Sequence, residues 1–379
     1  MKQSMRTSTL SPLAEEVLAI AGAPLERAFA LPPACYVDPG FLALEHEVLF
    51  AREWLCVGRA ADIPQPGDYA AYDSPVGPVM AVRQKDGSIA TLSRVCRHRG
   101  ALVGEDGSGS ARLFTCPYHK WVYELDGRLR GAPAMGGNPA FAPADRALPR
   151  FATEVWQGFV FFNADAGAAP LAGRLASIAE LCGRHDLLNL KTGFLIEEDW
   201  PSNWKVAFEN SCETYHHMGV HRQTLEPAFP TLGVRCEAGG AQHNLHIVPS
   251  ADGFSFEPGA NSRLTGDDLA QLQIVGVYPN LVIALSGATA TWFSFTPTSA
   301  TTTRLRVGWL VPSDADPAAL PRERATLEAI LAEDRVSCTG VQRGLESRDA
   351  RSGPLSPIEQ TIAEFARYLA RRIATAGGA

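Results

Sequence analysis

Two short loops in the chain pair a cysteine with a histidine. Cys96-x-His98 and Cys116-x-x-His119 are separated by seventeen residues, Arg99 to Thr115. Thiolates and imidazoles suit zinc or iron–sulfur centres. A zinc finger more often pairs Cys with Cys and His with His, with the histidines on a helix. Here each loop offers one of each, among turn signals such as KDGS, EDGSGS and LDGR. That pattern suits a [2Fe–2S] cluster in which one iron takes two sulfurs and the other two nitrogens. Neutral imidazole in place of anionic thiolate leaves less negative charge on the cluster and raises its potential. Structural zinc is the alternative.

A second constellation follows about 100 residues later, in SNWKVAFENSCETYHHMGVH (202–221). His216 and His221 lie five apart, which on an ideal helix is not quite one face, so the helix must unwind or end near Gly219. Two imidazoles and one carboxylate form the facial triad of non-haem Fe(II) oxygenases, with positions left open for O2 and substrate. His217 is a rival ligand, and the spacing favours His216.

The elements that position these groups can be read from texture. The chain has 379 residues, enough for two domains, and 46 % hydrophobic against 20 % charged residues excludes a disordered chain. The formal net charge of −7 argues against nonspecific nucleic-acid or anionic-membrane binding. No apolar run approaches a membrane span, and Glu15, Glu16, Glu26 and Arg27 interrupt any signal-peptide core. A cytoplasmic protein is expected. Eight cysteines are too few for a disulfide scaffold. Cys35, Cys56, Cys182, Cys212, Cys236 and Cys338 are expected as buried structural thiols.

Residues 1–30 read as helical on Leu10, Leu13, Val17 and Leu18, and 40–54 as a second short helix. From Asp62 to Asn163 short apolar runs alternate with turns, with two or three strands ending near Leu92 and a last strand at 155–165. Helical composition returns at 166–200. A long helix opened by Pro201 and Ser202 runs to His221. Residues 230–312 are β-rich, 317–336 and 355–373 helical, and the ATAGGA tail is expected to fray. The fold class is α+β. The expected domains are a helical segment at 1–49 packing on the catalytic domain, an all-β cluster domain at 50–165, and a catalytic domain at 166–379 with an antiparallel sheet flanked by helices.

CRHRG and CPYHKWVYELDGRL resemble the two cluster loops of the Rieske ring-hydroxylating oxygenases. One departure is Lys120, where that family usually has Gly after the second His. The mononuclear-iron signature of the family is matched by Asn203, Trp204, Lys205, Glu209, Asn210, Glu213, Tyr215, His216 and His221. The resemblance covers nearly the whole chain. It implies cluster ligands Cys96, His98, Cys116 and His119, and mononuclear ligands His216, His221 and Asp334, the last in AEDRVSCTGVQRGL. Glu333 is the runner-up carboxylate and Asp349 a distant third. Glu213 is implied to bridge the mononuclear site to a cluster His of a neighbouring subunit. Many aromatic-ring dioxygenases carry Asp there, and Glu occurs in relatives that oxidise quaternary ammonium compounds.

The resemblance implies a terminal oxygenase α subunit, mono- or dioxygenase, that uses O2 and NAD(P)H electrons through a separate reductase or ferredoxin. No GxGxxG fingerprint and no second Cys cluster place that reductase in this chain. Aromatic-ring hydroxylation, as in aromatic hydrocarbon catabolism, is the default. Oxidation or demethylation of a carnitine- or betaine-like substrate is the alternative. A homotrimer or a multiple of it is implied, with neither membrane nor nucleic acid as partner. Candidate pocket residues are Phe208, Val220, Tyr278, Leu281, Ile283, Trp292 and Phe295. Tyr278 and Trp292, were they to converge, would cage a quaternary ammonium group. A Rieske electron carrier without oxygenase activity and a zinc-structured binding module are the rival classes.

Overall fold

The structure, a computed structural model, describes residues 11–377; Leu10 and the end of the ATAGGA tail lie outside them. It divides into two compact units. One comprises Ala51–Gly173; the other comprises the chain up to Phe50 and from Arg174 onward.

The Ala51–Gly173 unit is built on a seven-stranded antiparallel sheet. Its spatial order is Leu55–Arg59, Phe159–Asn163, Arg150–Trp156, Ile89–Ser93, Gly77–Arg83, Asp68–Ser74 and Ser108–Ser110. A small sheet of Phe114–Thr115, Val122–Tyr123 and Leu129–Gly131 completes it. Met80, Leu92, Phe114, Trp121 and Tyr123 close over the two buried thiols Cys96 and Cys116. Between residues 62 and 93 there are three strands, Asp68–Ser74, Gly77–Arg83 and Ile89–Ser93. The last strand, expected at 155–165, is Phe159–Asn163; residues 155–158 hold the end of the preceding strand and the turn of a hairpin. Gln157 and Gly158 both have positive φ (49° and 79°) between the paired Trp156 and Phe159. That two-residue turn matches the twist of the flanking strands.

The other unit holds a second seven-stranded antiparallel sheet, ordered Lys191–Trp200, Thr302–Val311, Thr289–Ser299, Leu281–Ser286, Gln271–Val277, His243–Pro249 and Arg235–Glu237. Helices Trp204–Ser211, Leu320–Leu345 and Gln360–Gly377 accompany it, and the N-terminal helix Pro12–Ala21 packs on the last of these. The helical reading of 166–200 fails at its end. Lys191–Trp200 is a strand because it pairs along its length with Thr302–Val311, a tertiary contact that composition does not reveal. The 40–54 helix stops earlier: Pro39–Glu45 is α-helical, His46–Phe50 is a π-turn, and Trp54 lies beyond.

The long helix expected from Trp200 to His221 is also interrupted. Asn203 caps Trp204–Ser211 by accepting from the Lys205 amide at 2.9 Å. The helix ends at Ser211, and a separate 3-10 turn covers Tyr215–Met218. The break therefore comes before His216, not at Gly219. The helix is anchored from below. Lys205 Nζ meets Glu45 Oε1 at 2.7 Å and Trp204 Nε1 donates to Glu45 Oε2 at 3.0 Å, all fully buried. Tyr36 Oη donates to both oxygens of Glu209, at 3.0 and 2.9 Å.

Candidate metal centres

The two Cys/His loops fold alike. The Cys96 amide donates to the Ala101 carbonyl, and the Gly100 amide returns to the Cys96 carbonyl at 3.1 Å. The Cys116 amide donates to Trp121 O, and the Lys120 amide returns to Cys116 O at 3.1 Å. Each loop thus turns its thiol inward and its imidazole outward. Cys96 and Cys116 are buried, whereas His98 is exposed and His119 half-buried. The two imidazole rings lie 4.5 Å apart, and His98 stacks on Trp121.

Tyr123 Oη lies 3.2 Å from Cys96 Sγ and accepts from the Arg97 amide. Burial pushes the Cys96 thiol up, so it needs a positive partner to ionise. Two inward sulfurs and two adjacent outward imidazoles form a donor set that fits a [2Fe–2S] cluster. All eight cysteines are free thiols; Cys236 is half-buried and the others are buried.

In the other unit, three groups converge. His216 Nε2 lies 3.5 Å and His221 Nε2 3.0 Å from Asp334 Oδ1. The opposite ring nitrogens are each held by a carboxylate: His216 Nδ1 by Glu213 at 2.5 Å, His221 Nδ1 by Glu333 at 2.7 Å. Asn210 Nδ2 donates to Asp334 Oδ1 at 2.8 Å, and Thr224 Oγ1 donates to Glu333 at 2.6 Å. Outer carboxylates that fix ring orientation while the inner nitrogens face one point are the mark of a histidine metal site. The donor set fits a divalent iron with open positions.

The carboxylate nearest both inner nitrogens is Asp334. Glu333, the runner-up, sits behind His221 instead. Asp349 is exposed and lies outside this group. His217 belongs to the cluster as well, with a ligand atom within 4.8 Å of those of His216 and His221. Its buried Nδ1 has no partner among the described residues, and burial with the neighbouring His216, His221 and His246 lowers its pKa to about 2. Among the described residues no carboxylate backs it.

These groups close one end of a cavity of about 230 Å3. Its floor is one cross-strand row, Ile274–Ala284–Thr291–Trp309, in which directly paired residues share a face. Its roof is one stripe of the long helix: Glu323, Thr326, Leu327, Ile330 and Asp334. Phe229 and Phe256, stacked at 5.6 Å, line a side, and Phe293 adds another ring. His246 pairs with Ile274 at the edge of the floor row. It is fully buried, with neither ring nitrogen partnered among the described residues, and burial lowers its pKa to about 3.

None of the seven expected pocket residues lines this cavity. Phe208, Tyr278, Leu281, Ile283, Trp292 and Phe295 are core, and Val220 is half-buried off the cavity. The error on the strands is one of face. Ile283 and Trp292 each stand next to a lining residue, Ala284 and Thr291 or Phe293, and a period of two sends them to the opposite side. Tyr278 stacks on Tyr368, and Arg306 lies over Trp292, so the convergence on which an aromatic cage depended is not met. Sequence reasoning also missed Glu333 as a histidine partner, His246, and the cavity rings. The signal was available for the roof alone. Counting back from Asp334 by helical turns reaches Ile330, Leu327 and Glu323.

A Rieske [2Fe–2S] domain model matches residues 53–151, and a ring hydroxylating alpha subunit catalytic-domain model matches 189–375. The chain is a Rieske non-haem iron oxygenase. As an oxygenase α subunit it works with a Rieske cluster, a mononuclear iron, O2 and electrons supplied by a partner reductase. The glycine betaine monooxygenase oxygenase subunit of Chromohalobacter salexigens is 28 % identical over 368 residues, 86 % of this oxygenase and 82 % of that relative. Benzene 1,2-dioxygenase subunit alpha of Pseudomonas putida is 36 % identical over 201 residues, 52 % of this chain and 44 % of that one. A solved quaternary ammonium Rieske monooxygenase superposes with a TM-score of 0.84 at 25 % identity, covering 96 % of this oxygenase and 100 % of that chain. Among the described residues no helix is long and apolar enough to cross a membrane.

Proposed function

We propose that this oxygenase oxidises the apolar part of a small organic substrate, with His216, His221 and Asp334 holding the mononuclear iron. One observation carries the reading: two inner imidazole nitrogens and a carboxylate oxygen meet at the end of a cavity lined by Phe229, Phe256, Phe293 and Trp309. Cys96, His98, Cys116 and His119 hold the cluster in this reading. The iron, when bound, supplies reductive activation of O2. The chain's own residues do the rest. Glu213 and Glu333 keep both imidazoles in the ligand orientation. Asn210 orients Asp334. The apolar floor excludes water and presents a C–H bond or ring face toward the histidines.

Aromatic-ring hydroxylation fits the ring-lined walls. Quaternary-ammonium oxidation is the second reading, favoured by the betaine monooxygenase relative matched over most of both chains. Glu213 serves electron transfer by contacting a cluster histidine of a neighbouring subunit, in a head-to-tail trimer or a multiple of it. The test is metal and acid-labile sulfide analysis of anaerobically prepared protein, followed by substrate-dependent O2 uptake with a surrogate reductase. Aromatic acids, neutral arenes and trimethylammonium compounds form the panel. Absence of sulfide, or zinc in place of iron, overturns the reading.

A further inference from the structure

The cavity has a second chemical feature, at the end of its roof away from the metal ligands. Glu323 and Asp334 sit eleven residues apart on the helix Leu320–Leu345, about 16 Å of helix axis. Both line the same cavity. Glu323 is half-buried, and its carboxylate makes no ion pair or hydrogen bond among the described residues. The adjacent Arg324 is engaged elsewhere, with Glu328 at 2.8 Å and over the Phe194 ring. No arginine or lysine is found among the described residues that line the cavity. The two other lining carboxylates, Glu213 and Asp334, are taken up by the histidine cluster.

A glutamate in the first turn of a helix is favoured by the backbone dipole. That accounts for the residue type. It does not account for its place on the one helical stripe that roofs an aromatic-lined cavity. An unneutralised carboxylate at the end of such a cavity away from the histidines, with no arginine or lysine among the described lining residues to receive an anion, selects for positive charge. The rings add attraction for a cation that loses water on entry.

We propose that Glu323 is a specificity-determining residue that binds the cationic end of an elongated alkyl- or arylalkyl-ammonium substrate. The apolar end, remote from nitrogen, is then delivered to the metal ligands. This rests on the oxidation reading above and deepens it by naming the substrate class. Carboxylate-bearing betaines are disfavoured, because no arginine or lysine among the described lining residues pairs their anionic end. The reaction is hydroxylation at a carbon far from nitrogen: a C–H bond is replaced by C–O, O2 is reduced with two electrons from the reductase and two protons, and one oxygen leaves as water.

Two measurements separate the proposal from the reading it rests on. The first is calorimetric binding to the metal-loaded holoenzyme of n-alkyl- and phenylalkyl-trimethylammonium ions, each beside its neutral tert-butyl isostere. Wild-type protein is expected to prefer the cation by about fivefold or more. Glu323→Gln should remove most of that preference without changing binding of the neutral isostere, and Glu323→Asp should keep part of it. Equal affinity for cation and isostere in wild type, or a Glu323→Gln variant that weakens both alike, overturns the proposal whether or not turnover occurs. The second is product analysis of turnover with the same ions. Oxygen on the distal carbon with all N-methyl groups retained is expected, and formaldehyde release from the methyl groups overturns the assigned orientation. Binding that discriminates as stated, with no O2 uptake for any compound, would count against the oxidation reading and leave the cation site standing.

Discussion

Gly100 and Lys120 occupy equivalent positions in the two cluster loops. Each lies four residues after its cysteine, each returns its amide to that cysteine's carbonyl at 3.1 Å, and each has positive φ, 79° and 59°. Glycine takes this conformation freely; a lysine there crowds its Cβ against the carbonyl. The departure from the family pattern at residue 120 is therefore backbone strain on a loop that carries two of the proposed cluster ligands. Lys120→Gly should raise stability of the Ala51–Gly173 unit by about 1 kcal/mol. Thermal unfolding followed at the cluster's visible band checks it, and an unchanged g-tensor would show that the ligand set survives. A lower melting temperature would mean that the Lys120 side chain makes a stabilising contact.

Glu213 and Glu333 hold the far nitrogens of His216 and His221. Replacing such a partner typically costs tenfold to a hundredfold in metal affinity. Glu333→Gln should lower mononuclear iron affinity by about tenfold, while cluster content measured by sulfide stays constant. Glu213→Gln should do this and also slow cluster-to-iron electron transfer in single-turnover kinetics. His217→Asn should leave iron content near wild type, and loss of the metal there would move the ligand assignment to His217.

Lys205 and Glu45 form a fully buried ion pair beneath the helix that leads to the histidines. Breaking a buried pair from one side strands the other charge. Lys205→Met should therefore destabilise the unit by about 3–5 kcal/mol, read as a shift in urea midpoint, and Lys205→Met with Glu45→Leu should recover much of it. A double variant no better than the single would show that the pair contributes beyond charge balance.

Burial raises the Glu209 carboxyl to about 8, against the lowering effects of Tyr36 and Lys205. In the unfolded chain the group titrates near 4.5. The native state thus holds the proton more tightly. The stability this contributes is complete below the unfolded value and is lost as pH rises through the folded one. Unfolding midpoints should fall between about pH 5 and about pH 8, and Glu209→Gln should flatten that slope. Parallel profiles for wild type and variant would mean that Glu209 is ionised in the fold.

Much of the chemistry was legible before any fold was known. The proposed cluster ligands Cys96, His98, Cys116 and His119 are legible because residue type and spacing are local properties of the chain. His216 and His221 are legible likewise, within one short segment. The NWK residues were legible as a pattern but not as a role; Trp204 and Lys205 act on Glu45, some 160 positions away.

What only the tertiary structure decided is which distant residues face the same space. A strand shows its apolar residues on two sides, and sequence alternation does not say which side is cavity and which is core. Sequence alone puts Ile283 and Trp292 on the wrong face for that reason. Glu333 and Asp334 are adjacent in the chain, yet one stands behind a histidine and the other in front of two. That division is set by how a helix packs against a loop more than a hundred residues away, and no local spacing encodes it.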